Sequence, residues 1–258
     1  MNESSHAHPC VIITRPDHQA QPLADALRAA SFEPVRFPAL ELIPMNVWQP
    51  GGVSITGHLA AVIFVSPNAV RFSLSCPYWQ DPVVQSCQWW GVGAGTAQLA
   101  RQHYPHQRIQ YPHQGGSEFL LQSGVWENLR GRQVLIVRGR EGRETLAQQL
   151  RQHGIDVIQH IVYRNVCPAY EPDEIQRVWN QAIAAVIITS AAIAVHLRMI
   201  LHSSLSWRVA QTTGLVAISS RVLVAARESG LGQGKTVIAG SADPAALVNA
   251  VHQLSGRT

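Results

Sequence analysis

The sequence predicts an α/β fold built on parallel sheets. Two observations carry this prediction: short apolar runs rich in β-branched residues alternate with stretches of helical spacing, and several of these segments recur in the second half of the chain. Parallel strands need crossover connections, and helices between the strands supply them. A chain of 258 residues that is 46% hydrophobic is long enough for one large domain or two of ordinary size.

The alternation of strand and helix begins close to the N-terminus. Residues 11–15 (VIITR) form a β-branched run, which predicts a short buried strand. Leu23, Leu27 and Ala30 then follow at helical spacing and predict an amphipathic helix over 22–30. Further strands are predicted at 60–65, 89–93, 107–111, 133–138, 155–163, 184–189, 214–219 and 236–239, most of them followed by helical patterns.

The chain contains an internal repeat. AAVIFVS at 60–66 returns as AAVIITS at 184–190, and VIITRP at 11–16 is echoed by VLIVRG at 134–139. The helical motif LADALR of the first half likewise corresponds to LAQQLR in the second, at nearly the same spacing. Matches that keep both order and spacing indicate duplication, so we predict two homologous halves of about 120 residues each.

Ser66 and Ser190 end the two copies of the repeated phrase. In an open parallel sheet, ligands bind outside the carboxyl ends of the strands, where the following helices present unused backbone N–H groups. Two such lobes facing one another would line a cleft with amides suited to an anion. For either serine alone, an ordinary N-cap of the following helix explains the residue better.

The cations of the chain are almost all arginine. Lysine and arginine number 20 against 16 acidic residues, and every one of these cations except Lys235 is an arginine. A guanidinium grips a carboxylate or phosphate through two hydrogen bonds, so the bias suits an anionic partner, although genomic composition could produce it equally well. The arginines are dispersed and no aromatic residues are interleaved with them, which argues against a nucleic-acid partner.

Several other classes of protein are disfavoured by the sequence. Apolar runs such as 183–188 are too short to cross a bilayer and the polar start MNESSHAHPC has no signal-like block, so we expect no membrane contact and a cytoplasmic location. The 4 cysteines lack CxxC spacing, which predicts reduced thiols. The 12 histidines are scattered and expected mostly at the surface, and no HExxH, GxSxG or phosphate-loop motif occurs, so no metal and no activated nucleophile is expected.

A glycine-rich turn, GVGAGT at 91–96, offers a dinucleotide site as an alternative. Its glycines stand at every second position, so GxGxxG is incomplete. A dinucleotide site also needs an acidic residue about twenty positions further on. Only Glu118 is available, and it lies further along the chain than that, so the requirement is not convincingly met. We therefore expect no nucleotide cofactor, while the backbone amides of this turn remain suited to a carboxylate.

A series of short segments occurs in order along nearly the whole chain. They are TRP at 14–16, IFVSPNAV at 63–70, GxGxxTA at 91–97, YP at 111–112, SEFLL at 117–121, RGxxGRExLAxxLxxxG at 138–154, VYR at 162–164 and IITS at 187–190. Together they resemble the uroporphyrinogen-III synthases. The chain departs from the family pattern at 219–222, where it reads SSRV and many members read SxxTA. A role for a threonine is therefore not carried over to these positions.

The resemblance implies an architecture as well. It implies two similar parallel-sheet domains of flavodoxin-like type, joined by a two-stranded antiparallel linker. The first strand and helix of each half would pack with the remainder of the other half. The first domain would then be discontinuous, comprising 1–38 and 168–258, and the second would comprise 39–167. Segments 33–40 and 155–163 occupy equivalent places in the two halves and are expected to be the crossing strands.

The resemblance further implies a cofactor-free, monomeric enzyme that closes the linear tetrapyrrole hydroxymethylbilane to uroporphyrinogen III with loss of water. A transient contact with the enzyme that makes this substrate is expected. Tyr163 matches the tyrosine that the family places at the cleft, and it is the expected catalytic residue. The substrate carboxylates are expected at the helix starts and at two arginines. These substrate-binding positions are Arg15, Ser66, Thr96, Arg138, Ser190 and Ser219.

The chemistry of the reaction explains why few side chains are needed. Loss of the terminal hydroxyl leaves an electrophilic azafulvene, which the substituted carbon of ring D attacks to give a spiro intermediate that recloses with that ring inverted. Spontaneous closure gives the isomer without inversion, so the protein must chiefly impose a geometry and stabilise cationic pyrrole intermediates. A two-lobed binding or sensor protein for an anionic small molecule would use the same residues and stays as the alternative.

Overall fold

The computed structural model describes residues 8–48, 55, 58–113, 116–122, 126–142 and 144–256. Strands and helices alternate along them, as predicted. The strands are β1 (Cys10–Ile13), β2 (Glu33–Arg36), β3 (Glu41–Trp48), β4 (Leu59–Phe64), β5 (Gln88–Gly91), β6 (Ile109–Gln110), β7 (Gln133–Gly139), β8 (Asp156–Val166), β9 (Ile183–Ile188), β10 (Leu215–Ala217) and β11 (Thr236–Ile238). The helices are α1 (Gln21–Ala29), α2 (Pro67–Ser73), α3 (Pro82–Ser86), α4 (Ala94–His103), α5 (Ser117–Gln122), α6 (Thr145–Gln152), α7 (Pro172–Trp179), α8 (Ala191–Leu201), α9 (Ser206–Thr212), α10 (Ser220–Glu228) and α11 (Pro244–Ser255).

The strands form two sheets. One has five strands in the order β11-β10-β9-β1-β2, and each of its neighbouring pairs is parallel. Read from β2, this is the flavodoxin-like order in which the chain reverses its direction of growth between the first and third strands. The second sheet has six strands in the order β3-β8-β7-β4-β5-β6, with parallel pairs from β8 through to β6. The predicted α/β class with parallel sheets is confirmed.

Each sheet combines strands from both halves of the chain. β1 and β2 lie beside β9, β10 and β11, whereas β7 and β8 lie beside β4, β5 and β6. The exchange of first strands that the resemblance implies is therefore present in the sheet order. It gives each sheet one topological switch point, between β1 and β9 in the first and between β7 and β4 in the second, and ligands of open α/β sheets bind at such points.

The cores lie on both faces of each sheet, because helices cover both faces of a parallel sheet. Successive residues of β4 enter opposite layers: Val62 and Phe64 pack in one buried cluster, and Ala61 and Ile63 pack in the other. Strand β4 (LAAVIF) is buried at every position, which agrees with its continuous apolar sequence.

Contacts between residues divide the chain into two compact units. One contains the residues up to Glu41 together with those from Val166 onward, and the other runs from Leu42 to Asn165. The chain therefore passes from unit to unit at the start of β3 and at the end of β8, which are neighbours in the six-stranded sheet. The expected domain boundaries at 38/39 and 167/168, and the antiparallel direction of the linker, stay predictions.

One expected crossing strand is wrong. Residues 33–36 form β2, which pairs in parallel with β1 inside the five-stranded sheet. The strand that lies beside β8 is β3, Glu41–Trp48. Its sequence, ELIPMNVW, carries a proline and lacks clear alternation, so it gave no strand signal.

Candidate active site

Four of the predicted site residues meet at the carboxyl edge of the six-stranded sheet. Ser66 directly follows β4, Arg138 lies near the end of β7, and Tyr163 lies in the last third of β8. Thr96 lies in the first turn of α4, the helix that follows β5. Because β8, β7, β4 and β5 are consecutive neighbours, these four residues are adjacent along one edge, around the topological switch point.

Ser66 is the N-cap of α2. Its extended backbone leads into Pro67 at the first helical position, and its Oγ accepts a hydrogen bond of 3.1 Å from the N–H of Ala69. Proline is suited to that position because its missing N–H would find no acceptor within the helix anyway. The predicted cap is therefore formed, and it leaves the hydroxyl proton of Ser66 available for another acceptor.

The hydroxyl oxygen of Tyr163 provides such an acceptor. The Ser66 Oγ and the Tyr163 hydroxyl lie 3.3 Å apart. Because Oγ already accepts from Ala69, the Ser66 hydroxyl can donate to the tyrosine oxygen, which leaves the phenol proton free to be given to a ligand. Serine and tyrosine thus form a short donor chain that ends at the phenol.

A β-bulge decides which way Tyr163 faces. In the pairing of β7 with β8, Arg138 is opposite Ile161 but Gly139 is opposite Tyr163, so Val162 is the extra residue. Without the bulge, Tyr163 would share a face with Ile161, because side chains alternate along a strand. With it, Val162 and Tyr163 both join the cluster that contains Phe64. Bulges often re-aim side chains next to active sites in this way.

The tyrosine ring is held from two sides. Phe72 of α2 packs on it with ring centroids 5.4 Å apart. On another side the backbone of Gly139 approaches so closely that a Cβ there would lie 2.5 Å from ring atoms Cε2 and Cζ. Burial is the main reason that the pKa of Tyr163 is raised; Ser66 lowers it, Glu141 raises it and Arg138 lowers it. The phenol is therefore protonated at neutral pH.

Arg138 is buried, with 4% of its surface exposed, rather than facing solvent as an isolated surface arginine would. Its Nη1 donates to Glu144 Oε1 at 2.5 Å and to Gln159 Oε1 at 3.1 Å. Nη2 donates to the Gly142 carbonyl at 3.1 Å, and Nε donates to the Gly139 carbonyl at 3.0 Å. Four of its five N–H groups therefore have protein partners, and the side chain organises the turn between β7 and α6.

These residues line a pocket of about 320 Å³. Ser66, Arg138 and Tyr163 contribute polar groups, Glu141 adds a carboxylate from the turn, and Leu146 is one of the apolar side chains of the wall. The Oε2 of Glu141 accepts from the backbone N–H of Asn165 at 2.7 Å, which ties the turn to β8. A mainly apolar pocket with a few convergent polar groups is the usual form of a small-molecule site.

The glycine-rich turn before α4 packs tightly and leads into the helix without a side-chain cap. Gly93 is the N-cap, and a Cβ at Gly91 would lie 2.7 Å from the N of Ala97. Gly91 is thus required for the close approach of helix to strand. Thr96 is buried, with 6% of its surface exposed, so the backbone amides of the first turn are better placed for a ligand than its side chain.

The other three predicted residues lie at the carboxyl edge of the five-stranded sheet. Ser190 follows β9 and caps α8 by accepting from the N–H of Ile193 at 3.2 Å. Ser219 follows β10 and caps α10 in the same way, accepting from Val222 at 3.3 Å. Arg15 follows β1. The structure therefore distributes the seven predicted residues over two edges, four on one sheet and three on the other.

Arg15 differs from Arg138 in how its donors are used. Burial leaves 8% of its surface exposed and lowers the pKa of its guanidinium. Its Nη2 donates to the Ala242 carbonyl at 3.3 Å, while its buried Nε has no hydrogen-bond partner among the residues that the structure describes. A buried donor without an acceptor is costly, and a ligand carboxylate would satisfy it.

The family model for "Uroporphyrinogen-III synthase HemD" matches residues 21–249 of this chain. The chain belongs to the uroporphyrinogen-III synthase family. A uroporphyrinogen-III synthase of Escherichia coli K12 is 27% identical over 246 residues, which cover 93% of this chain and 99% of the relative. One from Salmonella typhimurium LT2 is 27% identical over 252 residues, again 93% of this chain and 99% of the relative.

Solved structures of uroporphyrinogen-III synthases share the fold. The enzyme of Helicobacter pylori 26695 matches with a TM-score of 0.63 at 19% identity, over 96% of this chain and 99% of that one. A mutant enzyme of Thermus thermophilus matches with a TM-score of 0.58 at 13% identity, over 95% and 98%. At these identities the likeness establishes the α/β fold. The resemblance read from the sequence motifs is thus confirmed at the level of the family.

Two features of the site were missed by sequence reasoning. Gln159 and Glu144 complete the hydrogen bonds of Arg138; Glu144 could have been singled out because it lies within the RGxxGRExL motif. The packing of Gly139 on Tyr163 left no local signal, because the two residues are neighbours only across the strand pair.

A third departure concerns histidine. The histidines were expected mostly at the surface, and His160 is an exception. It is fully buried, and its Nδ1 lies 2.7 Å from the hydroxyl of Tyr78. Among the described residues, no group of three or more His, Cys, Asp or Glu side chains could hold a metal ion, and no helix is long and apolar enough to span a membrane.

Proposed function

We propose that this family member closes hydroxymethylbilane to uroporphyrinogen III, and that the pocket around Tyr163 is where the terminal hydroxyl departs. The observation that carries this proposal is the donor chain at the switch point: a half-buried, protonated phenol lies 3.3 Å from a serine that already caps a helix. The family match favours this activity over the two-lobed binding or sensor protein.

The leaving step needs one proton donor. The C–O bond of the terminal hydroxymethyl group breaks, its electron pair leaves with the oxygen, and that oxygen takes a proton and departs as water. The positive charge that remains is delocalised over the pyrrole as an azafulvenium ion. A hydrogen bond from the Tyr163 phenol stabilises the departing oxygen, and the high pKa that burial gives the phenol keeps its proton in place until then.

Each sheet edge is proposed to offer groups that bind carboxylates of the substrate. On the five-stranded sheet the helix starts behind Ser190 and Ser219 supply N–H groups, and Arg15 supplies an unsatisfied buried donor. On the six-stranded sheet the starts of α2 and α4, next to Ser66 and Thr96, do the same. Main-chain donors fixed before the reaction need no reorganisation as charge moves.

Arg138 is proposed to act in substrate binding mainly through the turn that it holds. Its charge is matched by Glu144 at 2.5 Å, and one N–H of its guanidinium remains for a ligand. It would therefore shape the pocket and give at most one hydrogen bond to the substrate. We consider Arg15, with fewer protein partners, the stronger candidate for a direct carboxylate contact.

We further propose that the protein works in the cytoplasm as a monomer, in transient contact with the enzyme that produces hydroxymethylbilane. All four cysteines are free, as is usual in a reducing compartment. The substrate closes spontaneously to the wrong isomer, so a short path between the two enzymes would limit that loss.

The proposal is tested by the isomer that forms. The purified protein is incubated with enzymatically generated hydroxymethylbilane, and the porphyrins are separated after oxidation. We expect isomer III to dominate, whereas the reaction without protein gives isomer I. Formation of isomer I alone at all protein concentrations would defeat the proposal.

A further inference from the structure

We propose that Gly139 is a positioning residue for Tyr163: it leaves the space that lets the phenol reach Ser66 and the leaving hydroxyl of the substrate. The inference rests on the proposed role of Tyr163 and adds to it the residue on which that role depends. Nothing in the chemistry of glycine itself would touch the substrate.

The direction of the Tyr163 side chain is set by its strand pairing. The bulge at Val162 brings Tyr163 opposite Gly139 in the pairing of β7 with β8. The two positions face the same side of the sheet, because a Cβ at Gly139 would lie 2.5 Å from ring atoms of Tyr163. The side chain at position 139 is therefore what the tyrosine ring would meet.

The space between Gly139 and the Tyr163 ring is too small for a Cβ. A Cβ at Gly139 would lie 2.5 Å from Cε2, 2.5 Å from Cζ and 2.9 Å from the hydroxyl oxygen of Tyr163. Carbon atoms pack at about 3.5–4.0 Å, so a methyl group there must displace the end of the ring by about 1 Å. The displaced atoms are the ones that carry the reactive hydroxyl.

The Tyr163 ring is also confined by Phe72 and Ser66. Phe72 packs on it at a centroid distance of 5.4 Å, and the hydroxyl is hydrogen-bonded to Ser66 at 3.3 Å. Moving the ring end away from position 139 therefore disturbs the contact with Ser66. A misplacement of about 1 Å is enough to reduce catalysis by roughly 100-fold when geometry is the catalytic device.

The Tm of a Gly139 variant distinguishes a lost positioning role from a simple packing defect. Gly139 has no positive φ and lies inside a strand, so alanine can adopt its backbone conformation and reduces the entropy of the unfolded chain. We expect Gly139→Ala to keep the Tm within a few degrees while lowering kcat by about 10–100-fold. KM should change less than kcat, because only Ser66 and Arg138 among the proposed carboxylate-binding positions lie beside the displaced ring.

The experiment uses four variants of the full chain: Gly139→Ala, Tyr163→Phe, the double variant and Gly131→Ala as a control. Gly131 precedes β7 at the opposite end of that strand, has a φ of 75° and has open space around its Cβ. Alanine there strains the backbone without approaching the site, so kcat per folded molecule should stay unchanged. The control shows whether lost stability alone reduces turnover.

Three kinetic outcomes are distinct. If Gly139 acts through the phenol, the single variants lose similar activity and the double variant is no worse than Tyr163→Phe. If Tyr163→Phe is impaired and Gly139→Ala turns over normally, the positioning role is overturned and the proposed function stands. If Tyr163→Phe has normal activity, the role of Tyr163 falls and that of Gly139 falls with it.

A spectroscopic readout checks the geometry without turnover. The chain has five tyrosines, and with ¹³Cζ labelling the resonance that disappears in Tyr163→Phe identifies Tyr163. We expect Gly139→Ala to shift that resonance and its titration, because contact with Ser66 changes, while the other four stay in place. An unmoved Tyr163 signal in Gly139→Ala contradicts the inference whatever the activity.

Discussion

The chemistry of Tyr163 is set by what surrounds it rather than by its own side chain. Burial disfavours the phenolate and raises the pKa, and the nearby carboxylate of Glu141 acts in the same direction. Ser66 and Arg138 act against this, the first by a hydrogen bond and the second by its charge. Because burial dominates, the residue is suited to donating a proton or hydrogen bond, not to acting as a base.

Replacing Tyr163 with phenylalanine removes the donor and keeps the ring. We expect kcat to fall by about 100-fold, the lower end of the contribution of one positioned proton donor. The contact with Phe72 should preserve the fold. In the unmodified protein the phenol must be protonated, so its raised pKa predicts that kcat stays constant through neutral pH and falls only above pH 10.0.

Stopped-flow turnover as a function of pH checks both parts of this prediction. Circular dichroism of the variant controls for folding. Unchanged turnover in Tyr163→Phe would contradict the assignment, and a loss of wild-type kcat beginning near neutral pH would contradict the protonation state.

The two buried arginines illustrate how the same residue type can take different roles. Arg138 has an ion pair and three further hydrogen bonds, so its loss would remove the donor that Glu144 Oε1 and Gln159 Oε1 share. Arg15 donates to the carbonyl of Ala242 and keeps a buried Nε without an acceptor among the described residues. The first arrangement builds a turn, and the second leaves capacity for a ligand.

At the scale of elements, the same device recurs at both sheets. A strand ends, a serine caps the next helix, and the first-turn amides remain directed away from the sheet; Ser66, Ser190 and Ser219 all form this arrangement. The helix that follows the glycine-rich turn uses Gly93 instead of a serine. Repetition of one local motif thus provides several similar helix starts, which are the positions proposed to bind the substrate carboxylates.

A substitution at Ser219 should affect both the stability of the protein and substrate binding, and the two effects can be measured separately. Ser219→Ala removes the hydrogen bond to Val222 and should cost about 1 kcal/mol of unfolding free energy. Because the helix start would also bind a carboxylate less well, KM for hydroxymethylbilane should rise several-fold. Denaturant unfolding and steady-state kinetics measure the two effects.

Asp81→Ala is the matched control for this prediction. Asp81 caps α3 by accepting from Val83 at 2.8 Å, and α3 precedes β5, on the amino side of the sheet. Its loss should lower stability by a similar amount without changing KM. If both variants raised KM equally, the effect at Ser219 would be one of stability alone.

At the scale of the whole molecule, strand exchange joins the two halves of the sequence. Each sheet takes two strands from one half and the remainder from the other, so neither half alone contains a complete sheet. The contacts within a unit therefore connect residues far apart in sequence, as between β1 and β9. Such long-range pairing makes folding depend on both halves being present.

A buried histidine should make global stability depend on pH. Burial lowers the pKa of His160 to about 4 from the ordinary 6.5. Between these values the unfolded chain binds a proton that the folded chain does not, so the free energy of unfolding falls as the pH decreases from 6.5 towards 4. The loss attributable to His160 should reach about 2–3 kcal/mol.

Urea unfolding at several pH values, with His160→Gln beside the wild type, tests this prediction. The variant should be less stable at neutral pH and should show a flatter pH dependence over the same interval. His153→Gln, at an exposed histidine of the same unit, should leave the profile unchanged. A His160→Gln profile parallel to that of the wild type would show that other groups cause the acid sensitivity.

The sequence alone determined the features that depend on near neighbours along the chain. Apolar periodicity placed each of the nine candidate strands, such as 60–65, where β4 lies. The serines at 66 and 190 identified helix caps, because capping involves residues only three positions apart. The ordered motifs indicated the family to which the chain belongs.

Only the tertiary structure decided the features that depend on partners distant in sequence. Strand β3 escaped prediction because its neighbour β8 supplies the pairing that its own residues do not signal. The bulge at Val162 exists only relative to the register of β7, and it determines both the direction of Tyr163 and the need for glycine at 139. The role of Arg138 in its turn also depends on a distant residue, because Gln159 of the neighbouring strand β8 accepts one of its hydrogen bonds. Helix caps and apolar periodicity depend on residues that are close in sequence. Strand register and burial depend on the pairing between elements that are distant in sequence, so no single segment encodes them.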